Sequence, residues 1–272
     1  MTSQAAKVFI VTGGGSGIGR ATALQLVSEG ASVTVVGRRL EPLDSVVSKA
    51  ASSGGEVLAV QGDVRDPATA HTAVQRTLER FGGVDGLVSN AAGNFVSPAE
   101  ELSDNGWKAV VDIVLNGTWY FVSAVARELI RAERPGAIVS IVATYAWTGH
   151  PGTVHSAAAK AGVVTMTRTL AAEWARFGIR VNCLAPGPTE TEGAGAALWA
   201  TQGQRESVLA SVPMRRFASP EEIADLASLM LSDRTSYVTG EVLTVDGGQS
   251  LGRQIYGEAV VPSAGRAGSG DT

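Results

Sequence analysis

The stretch Thr12-Gly13-Gly14-Gly15-Ser16-Gly17-Ile18-Gly19 decides the fold of this chain. It lies between an apolar run, predicted to be a strand, and a segment of helical period. Glycines let the backbone turn tightly and approach a pyrophosphate, whose charge then sits at the N-terminus of the helix. Because the strand, the helix and the alternation that follows all fit, we predict a dinucleotide-binding loop rather than a plain turn.

Short β-rich runs alternate with longer segments of helical period along the chain. This alternation is typical of parallel strands joined by right-handed helical crossovers. The sequence therefore predicts an α/β fold, a Rossmann-type doubly wound parallel sheet with helices on both faces. We predict strands near residues 7–12, 32–36, 56–60, 84–89, 137–142, 179–184 and 241–245. The long segments 106–132 and 154–177 carry small and apolar faces that suit the sheet or a neighbouring subunit equally.

A length of 272 residues and 44% hydrophobic content suffice for one sizeable core, so we predict a single domain. It spans residues 1–251 as a dinucleotide-binding domain. Residues 188–216, rich in Gly and Ala, are interpreted as an insertion on the substrate side, where Trp199 serves as part of a lid, as packing or in a subunit interface. Residues 252–272 are poor in core residues and are predicted to form a loose tail or an intersubunit arm.

The composition argues against several classes of partner. A net charge of -4 gives no overall attraction to phosphate backbones, so we expect no nucleic acid partner. Cys183 is the only cysteine and forms no metal-ligand set with the three histidines, so neither an intrachain disulfide nor a metal site is expected. A reducing cytoplasm fits this usage best. No apolar run approaches the ~20 residues of a membrane span, and we expect no membrane association.

The end of the second predicted strand indicates the cofactor. Gly37-Arg38-Arg39 stands where a carboxylate would otherwise hold a ribose 2′-hydroxyl. Guanidinium groups suit a 2′-phosphate, so we predict NADP(H), although two solvated arginines are the alternative. Asp63, followed by Val64, ends the third strand and can accept a hydrogen bond from the adenine amino group. Its alternative is a helix cap before Pro67.

Further motifs resemble one family across nearly the whole chain. With the glycine loop, Ser89-Asn90-Ala91-Ala92-Gly93, Asn116, Lys160 and Pro186-Gly187 resemble the short-chain dehydrogenase/reductase family. The chain departs from the usual pattern at two positions. Ser156 replaces the tyrosine that normally works with the lysine, and Ala143 replaces the usual serine. The ordinary proton donor is therefore missing.

Within that family, the chain is similar to the 2,4-dienoyl-CoA reductases, in which serine likewise replaces the tyrosine. The resemblance rests on Asn90 to Phe95, Asp112 to Thr118, Tyr145, the Ser156 and Lys160 pair, Leu170 to Trp174, and Pro186 to Pro188. It implies an acyl-CoA substrate and a homotetramer. The segment Pro151 to Ser156 also resembles the trans-2-enoyl-CoA reductases.

The resemblance implies a role for each site residue. Tyr145 and Asn94 donate hydrogen bonds to the thioester carbonyl oxygen, Lys160 holds the nicotinamide ribose and Ser156 helps to position the cofactor. Asn116 orders the adjoining helix and a water. Substrate contacts are implied for Arg65, Phe95 and Ser103, whereas Ala197 stands where a CoA-contacting arginine is usual. The motifs and the resemblance together imply a cofactor site made by Gly13, Gly15, Ser16, Gly17, Ile18, Gly19, Arg38, Arg39, Asp63, Val64, Asn90, Ala91, Gly93, Lys160, Pro186, Gly187, Pro188 and Thr189.

The expected function is thus the NADPH-dependent reduction of 2,4-dienoyl-CoA to 3-enoyl-CoA in fatty-acid oxidation. Reduction of a 2-enoyl-CoA or of a carbonyl compound is the first alternative, and a non-catalytic NADPH-binding sensor is the second. Single residues keep alternatives too: Tyr145 as a rim aromatic and Asn94 as the cap of a short following helix. His155 beside Ser156 does not indicate a hydrolase, because adjacent helical residues do not face each other.

Overall fold

The protein folds around one seven-stranded sheet. The computed structural model describes residues 4–193, 198 and 201–251. Val, Ile and Leu dominate the strands, as expected for parallel strands that helices cover on both faces. The strands are β1 Val8–Thr12, β2 Ser32–Gly37, β3 Val57–Gln61, β4 Gly86–Ser89, β5 Gly136–Ile141, β6 Ile179–Pro186 and β7 Val242–Val245. Each lies within about two residues of its predicted position, which confirms the strand predictions.

The strands are all parallel and lie in the order β3-β2-β1-β4-β5-β6-β7. The order reverses beside β1, which pairs with β2 on one side and with β4 on the other. In an open parallel sheet, such a reversal leaves a crevice at the carboxyl ends of the strands, and ligands bind there. The topology therefore places a binding crevice where the glycine loop follows β1.

Nine α-helices are seen in the described part of the chain. They are α1 Gly17–Ser28, α2 Leu40–Ser52, α3 Pro67–Phe81, α4 Asp104–Val111, α5 Gly117–Arg131, α6 Tyr145–Thr148, α7 Val154–Trp174, α8 Gln202–Ser211 and α9 Pro220–Leu231. Local sequence explains several helix starts. The Ser219 hydroxyl accepts from Glu222 N–H while the Glu222 carboxylate accepts from Ser219 N–H, and this capping box begins α9.

The core has two main halves, one on each face of the sheet. Successive strand residues point to opposite faces, so Phe9 and Val11 pack on one side and Ile10 on the other. Helices α1, α2 and α9 cover the first face with Leu26, Val46 and Ile223. Helices α3, α5 and α7 cover the second with Ala73, Phe121 and Leu170. This confirms the single-domain, doubly wound α/β fold.

The two long helical segments differ in detail from their predictions. Segment 106–132 is not one regular helix, because a π-helical turn, Asp112–Asn116, separates α4 from α5. Segment 154–177 ends as α-helix at Trp174 and continues as a short 3-10 turn, Ala175–Phe177. The tail 252–272, Ala197 and Trp199 lie outside the described residues.

The helical stretch Asp104–Arg131 is long and apolar enough to cross a membrane by length and mean hydropathy alone. The expectation that no apolar run approaches that length is therefore wrong for this segment. In its most apolar window, however, 56% of the residues are buried inside the fold. Phe121, Val125 and Leu129 of α5 pack into the core against the sheet, so the hydropathy of this segment serves core packing.

Candidate active site

A cleft of about 480 Å³ opens at the carboxyl ends of the strands, on the crevice that the strand order creates. It collects most of the residues that the sequence singled out. They are Gly13, Gly15, Ser16, Gly17, Ile18, Arg38, Arg39, Asp63, Val64, Asn90, Ala91, Gly93, Asn94, Tyr145, Ser156 and Lys160. Residues from both halves of the chain therefore meet in one cleft.

The cleft wall also contains residues that sequence reasoning missed, including Pro42 and Leu43 of α2 and Thr191 and Leu198 of the insertion. The position of α2 directly after the two arginines was a signal for the first pair. No comparable motif marked the second pair.

The glycine loop is held against the end of β4. At Gly13, where φ is +64°, an added Cβ would lie 2.8 Å from the Asn90 side-chain nitrogen and 3.0 Å from Ala91 Cα. Asn90 Nδ2 donates to the carbonyl oxygens of Thr12 and Gly13, at 3.0 and 3.3 Å. The Thr12 hydroxyl accepts from the backbone N–H groups of Asn90 and Ala91, both at 3.0 Å. Asn90 thus holds the loop in its conformation. The backbone of this glycine loop can approach a pyrophosphate closely.

Arg38 and Arg39 lie together at the end of β2. Both line the cleft, and neither forms a salt bridge with any residue in the described ranges. The Arg38 carbonyl accepts a hydrogen bond from Gln61 Nε2 at 2.9 Å, which ties this turn to β3. Two guanidinium groups without a protein carboxylate are suited to bind an anionic group such as a phosphate.

Asp63 and Arg65 form a local ion pair at the end of β3. The Arg65 guanidinium grips the carboxylate with Nε 3.0 Å from Oδ1 and Nη2 2.6 Å from Oδ2. These hydrogen bonds lower the pKa of Asp63, and the nearby charge of Arg38 adds to the effect. The helix-cap alternative for Asp63 is wrong, since Asp66 caps α3 by accepting from Ala68 N–H at 2.9 Å. Arg65 lies outside the cleft lining.

Tyr145, Ser156 and Asn94 form one cluster in the cleft. Tyr145 opens α6 just past the end of β5, and its hydroxyl lies 3.1 Å from the Ser156 hydroxyl. Asn94 Nδ2 donates to the same phenol oxygen at 3.5 Å. The alternative of a helix cap for Asn94 is wrong, because its Oδ1 accepts from the N–H of Phe95 and the next helical turn begins only at Ala99.

Burial controls the charge of the two titratable groups in this part of the cleft. It raises the pKa of Tyr145, so the phenol keeps its proton at neutral pH and remains a hydrogen-bond donor. Burial also lowers the pKa of Lys160 to about 8. The Lys160 ammonium donates to the Ile141 carbonyl oxygen at the end of β5. That bond directs the lysine across the sheet end toward the cleft.

Asn116 lies in the π-helical turn rather than in the cleft wall. Its Nδ2 donates to the Asp112 carboxylate at 2.8 Å, within the same turn. The side chain therefore orders its own helix, in line with the interpretation made from sequence. Its contact with a water stays a prediction.

Three residues were assigned to substrate binding: Arg65, Phe95 and Ser103. None of them lines the cleft. The Phe95 ring packs edge-on against His155, and the Ser103 hydroxyl caps α4 by accepting from Gly106 N–H at 3.1 Å. Arg65 is paired with Asp63. Each has a local structural role, and their contacts with a substrate stay predictions.

The segment after β6 folds over the glycine loop. Thr189 forms a parallel bridge with Ala218, and Gly187 lies against Asp246 so closely that a Cβ would approach Asp246 Cα to 2.7 Å. Thr191 then reaches the cleft, with its Cγ2 3.1 Å from where a Gly17 Cβ would be. Pro186, Gly187, Pro188 and Thr189 lead into this cover without lining the cleft themselves.

The sheet and its glycine loop define the class of Rossmann-type dinucleotide-binding proteins. Comparison with known proteins gives the family. The model described as enoyl-(acyl carrier protein) reductase matches residues 13–250. The chain belongs to the short-chain dehydrogenase/reductase family of oxidoreductases.

Individual relatives carry more specific names. A probable 2,4-dienoyl-CoA reductase of Bacillus subtilis, named as (2E)-enoyl-CoA-producing, is 46% identical to this chain. The alignment covers 90% of this chain and 97% of the relative. The peroxisomal 2,4-dienoyl-CoA reductase of Danio rerio, named as (3E)-enoyl-CoA-producing, is 39% identical, covering 90% and 82%.

Solved structures share the fold. A short chain dehydrogenase from Bacillus anthracis has a TM-score of 0.84 and 45% identity, covering 92% of this chain and 98% of its own. A structure described as an NAD(P) dependent gluconate 5-dehydrogenase from Beutenbergia cavernae, with bound NADP, has a TM-score of 0.86 and 36% identity, with the same coverage.

Proposed function

We propose that this protein is an NADPH-dependent 2,4-dienoyl-CoA reductase. The observation that carries the proposal is the cluster of Tyr145, Asn94 and Ser156 beside Lys160 in the cleft. The cluster offers a protonated phenol and a carboxamide as hydrogen-bond donors that face the cleft. The names of the similar reductases from Bacillus subtilis and Danio rerio support the same substrate class.

The preference for NADPH over NADH rests on Arg38 and Arg39. Both line the cleft at the end of β2, and neither forms a salt bridge with another described side chain. A planar guanidinium binds phosphate oxygens in a fork, so the pair suits a ribose 2′-phosphate. The related structure with bound NADP shows that this fold accepts that cofactor.

When bound, NADPH supplies a hydride, which we propose is added at the far end of the conjugated diene. Negative charge then develops on the thioester oxygen of the substrate. The Tyr145 hydroxyl and Asn94 Nδ2 donate hydrogen bonds to that oxygen and stabilise the dienolate. Ser156 keeps the phenol oriented through the 3.1 Å contact, and Lys160 holds the ribose hydroxyls.

The position of the final protonation decides the product. A proton added next to the thioester gives a 3-enoyl-CoA, whereas a proton added at the fourth carbon gives a 2-enoyl-CoA. We propose the 3-enoyl product, for which the Danio rerio relative is named. The Bacillus subtilis relative is named for the 2-enoyl product, which makes product analysis part of the test.

Saturation of a single conjugated bond in a 2-enoyl-CoA is the second candidate function. The matching family model is described as an enoyl-(acyl carrier protein) reductase. An enolate formed in that reaction would use the same two donors, so the cleft geometry is compatible with both substrates.

One assay separates the candidates. NADPH absorbance is followed with 2,4-hexadienoyl-CoA, crotonyl-CoA and a simple ketone in parallel, and the product is identified by NMR. Turnover confined to the dienoyl substrate supports the proposal, and turnover of crotonyl-CoA supports the second candidate. Binding of NADPH without turnover of any substrate would contradict both and indicate a cofactor-binding sensor.

We also propose that Phe95, Ser103 and Arg65 border the acyl-CoA path, and that the insertion 188–216 covers it. Phe95 follows Asn94 directly, and Thr191 and Leu198 of the insertion already line the cleft. A homotetramer in the cytoplasm completes the proposal; the buried free thiol of Cys183 is compatible with a reducing compartment.

A further inference from the structure

His155 is buried next to the donor cluster and has no part in the chemistry described above. Its side chain has 0% exposure, and neither ring nitrogen makes a hydrogen bond of normal geometry with a described residue; the one polar contact of the ring is a poorly aligned one with the Thr153 backbone. A buried polar group without a partner destabilises a fold by about 1–3 kcal/mol. An imidazole kept in such a place therefore calls for an explanation.

The imidazole contacts Phe95. The two ring centroids lie 4.5 Å apart with an interplanar angle of 62°, which is an edge-to-face arrangement. On the α4 side, a Cβ at Gly106 would lie 3.0 Å from Phe95 Cζ. The Phe95 ring, although 37% exposed, thus packs between the start of α7 and the start of α4.

Phe95 in turn fixes the carboxamide of Asn94. The backbone N–H of Phe95 donates to Asn94 Oδ1 at 3.0 Å. With Oδ1 engaged in this way, Nδ2 points to the Tyr145 hydroxyl at 3.5 Å. A displacement of Phe95 would therefore turn the Asn94 donor away from the phenol.

The residue after His155 acts on the other donor. Ser156 contacts the Tyr145 hydroxyl directly at 3.1 Å. Adjacent residues on a helix point about 100° apart, so the side chains of His155 and Ser156 leave the first turn of α7 in different directions. Ser156 reaches the phenol, and His155 reaches the carboxamide through Phe95.

We propose that His155 is a positioning residue that sets the Asn94 donor through its contact with Phe95. The proposal deepens the proposed function and rests on it for its activity readout. It requires the flat ring of His155 rather than its nitrogens. An aromatic replacement should consequently preserve the effect, and a small residue should abolish it.

The test is a double-mutant cycle on turnover of 2,4-hexadienoyl-CoA. We expect His155→Ala to lower kcat on the order of tenfold to a hundredfold, the loss that about 1 Å of misplacement produces, without changing the Kd for NADPH. In an Asn94→Ala background, His155→Ala should change kcat by less than about twofold, because the donor that it positions is gone. His155→Phe should keep most of the wild-type kcat.

Leu170→Ala is the matched control, since it also opens a cavity under α7 but lies in the opposite part of the core. It should lower Tm while leaving kcat nearly unchanged. An equal loss from His155→Ala in the wild-type and Asn94→Ala backgrounds would overturn the proposal, as would a His155→Phe variant as impaired as His155→Ala. If His155→Ala does not fold, His155→Leu, which fills the space without the flat ring, takes its place in the cycle with the same expectation.

A readout independent of activity separates this proposal from the function itself. Crystal structures of wild type, His155→Ala and His155→Phe give the distance between Asn94 Nδ2 and Tyr145 Oη. We expect this distance to lengthen by about 1 Å or more only in the alanine variant, the scale of misplacement that affects catalysis. Wild type without dienoyl-CoA turnover would contradict the function alone, whereas an unchanged distance in all three structures would contradict the positioning role.

Discussion

Tyr145 lines the cleft from α6, and its hydroxyl lies beside Ser156 of α7, the position of the usual tyrosine; we propose that it is the main hydrogen-bond donor. We expect Tyr145→Phe to lower kcat on the order of a hundredfold to a thousandfold, the loss that follows removal of one oxyanion donor. The Kd for NADPH should stay close to wild type, because the phenol faces Ser156 and Asn94. Steady-state kinetics and NADPH fluorescence titration measure the two quantities.

Ser156→Ala is the companion variant. It removes the neighbour that orients the phenol but leaves both donors in place, so its effect on kcat should be smaller. A larger loss from Ser156→Ala than from Tyr145→Phe would mean that the donor has been assigned to the wrong side chain.

We propose that the guanidinium of Arg38 favours NADPH over NADH. We expect Arg38→Ala to weaken NADPH binding by about tenfold to a hundredfold, since a hydrogen bond to a charged group contributes about 1.5–3 kcal/mol. NADH binding should change little. Arg76→Ala, at an exposed position on α3, is the control. Titrations of both cofactors against wild type and the two variants measure the ratio, and an unchanged ratio in Arg38→Ala would remove the basis for NADPH.

Individual site residues were predictable to different degrees. The glycines and the two arginines follow motifs with a physical reason at short range, and the cleft brings them together. Tyr145 and Asn94 are distant in sequence, so only the family resemblance could suggest that they meet. The Asp66 cap had a usable signal, an aspartate directly before Pro67. His155 had none, because its contact with Phe95 joins α7 to the loop after β4, which lies far away in the sequence.

The helical elements show where local pattern stops determining structure. The strands are short apolar runs and were placed correctly, but the π-helical turn between α4 and α5 was not predicted. Its cause is tertiary: Leu115 of the turn packs onto Gly162 of α7, where a Cβ would lie 3.0 Å from Leu115 Cδ1. Asn116 also closes the turn by its bond to Asp112. Neither contact is visible in the periodicity of segment 106–132.

Helix α1 approaches the glycine loop so closely that only glycine fits at Gly19. A Cβ there would overlap the Gly13 carbonyl oxygen and lie 2.5 Å from Asn90 Nδ2. We expect Gly19→Ala to push α1 off the loop, lowering the free energy of unfolding by about 1–3 kcal/mol as for other overpacked sites. NADPH binding should weaken by more than about tenfold, since the helix N-terminus loses its place at the pyrophosphate.

Gly203→Ala in α8 is the matched control, because an added Cβ there meets nothing within 4 Å. It should be neutral or stabilise the fold by up to about 1 kcal/mol through helix propensity. Urea unfolding and isothermal titration calorimetry compare the two variants. Normal NADPH affinity in Gly19→Ala would show that the contact between α1 and the loop does not shape the cofactor site.

Across the whole molecule, the alternation of strands and helices predicts parallel connections, and the structure confirms them. The alternation does not show which strands are neighbours in the sheet. The observed order β3-β2-β1-β4-β5-β6-β7 is what creates the crevice. The cofactor cleft thus depends on long-range pairing between β1 and β4. At the end of β5, the buried Lys160 ammonium donates a hydrogen bond to the Ile141 carbonyl oxygen.

Burial of Lys160 makes the stability of the whole domain depend on pH. Its pKa is lowered from 10.5 to about 8, so between these values the unfolded chain binds more protons than the fold. Stability from this group therefore rises with pH from about 8 to 10.5, and the charged lysine destabilises the fold below that window. The full shift corresponds to about 3 kcal/mol. We expect Lys160→Met to raise the free energy of unfolding at pH 7 by up to that amount and to abolish turnover.

The difference between the two proteins should shrink as pH rises, because the wild-type lysine becomes neutral in both states while methionine never carries a charge. Urea unfolding at several values from pH 7 to 10.5 measures it. Groups remote from Lys160 are common to both proteins and largely cancel in the difference. Cys183 does not cancel fully, because burial raises the pKa of its thiol to about 11 while the Lys160 charge lowers it. Lys108→Met, at an exposed position on α4, should show no such trend. If Lys160→Met were less stable than wild type at pH 7, the ammonium would be a net stabilising group, and its retention would need no explanation from function.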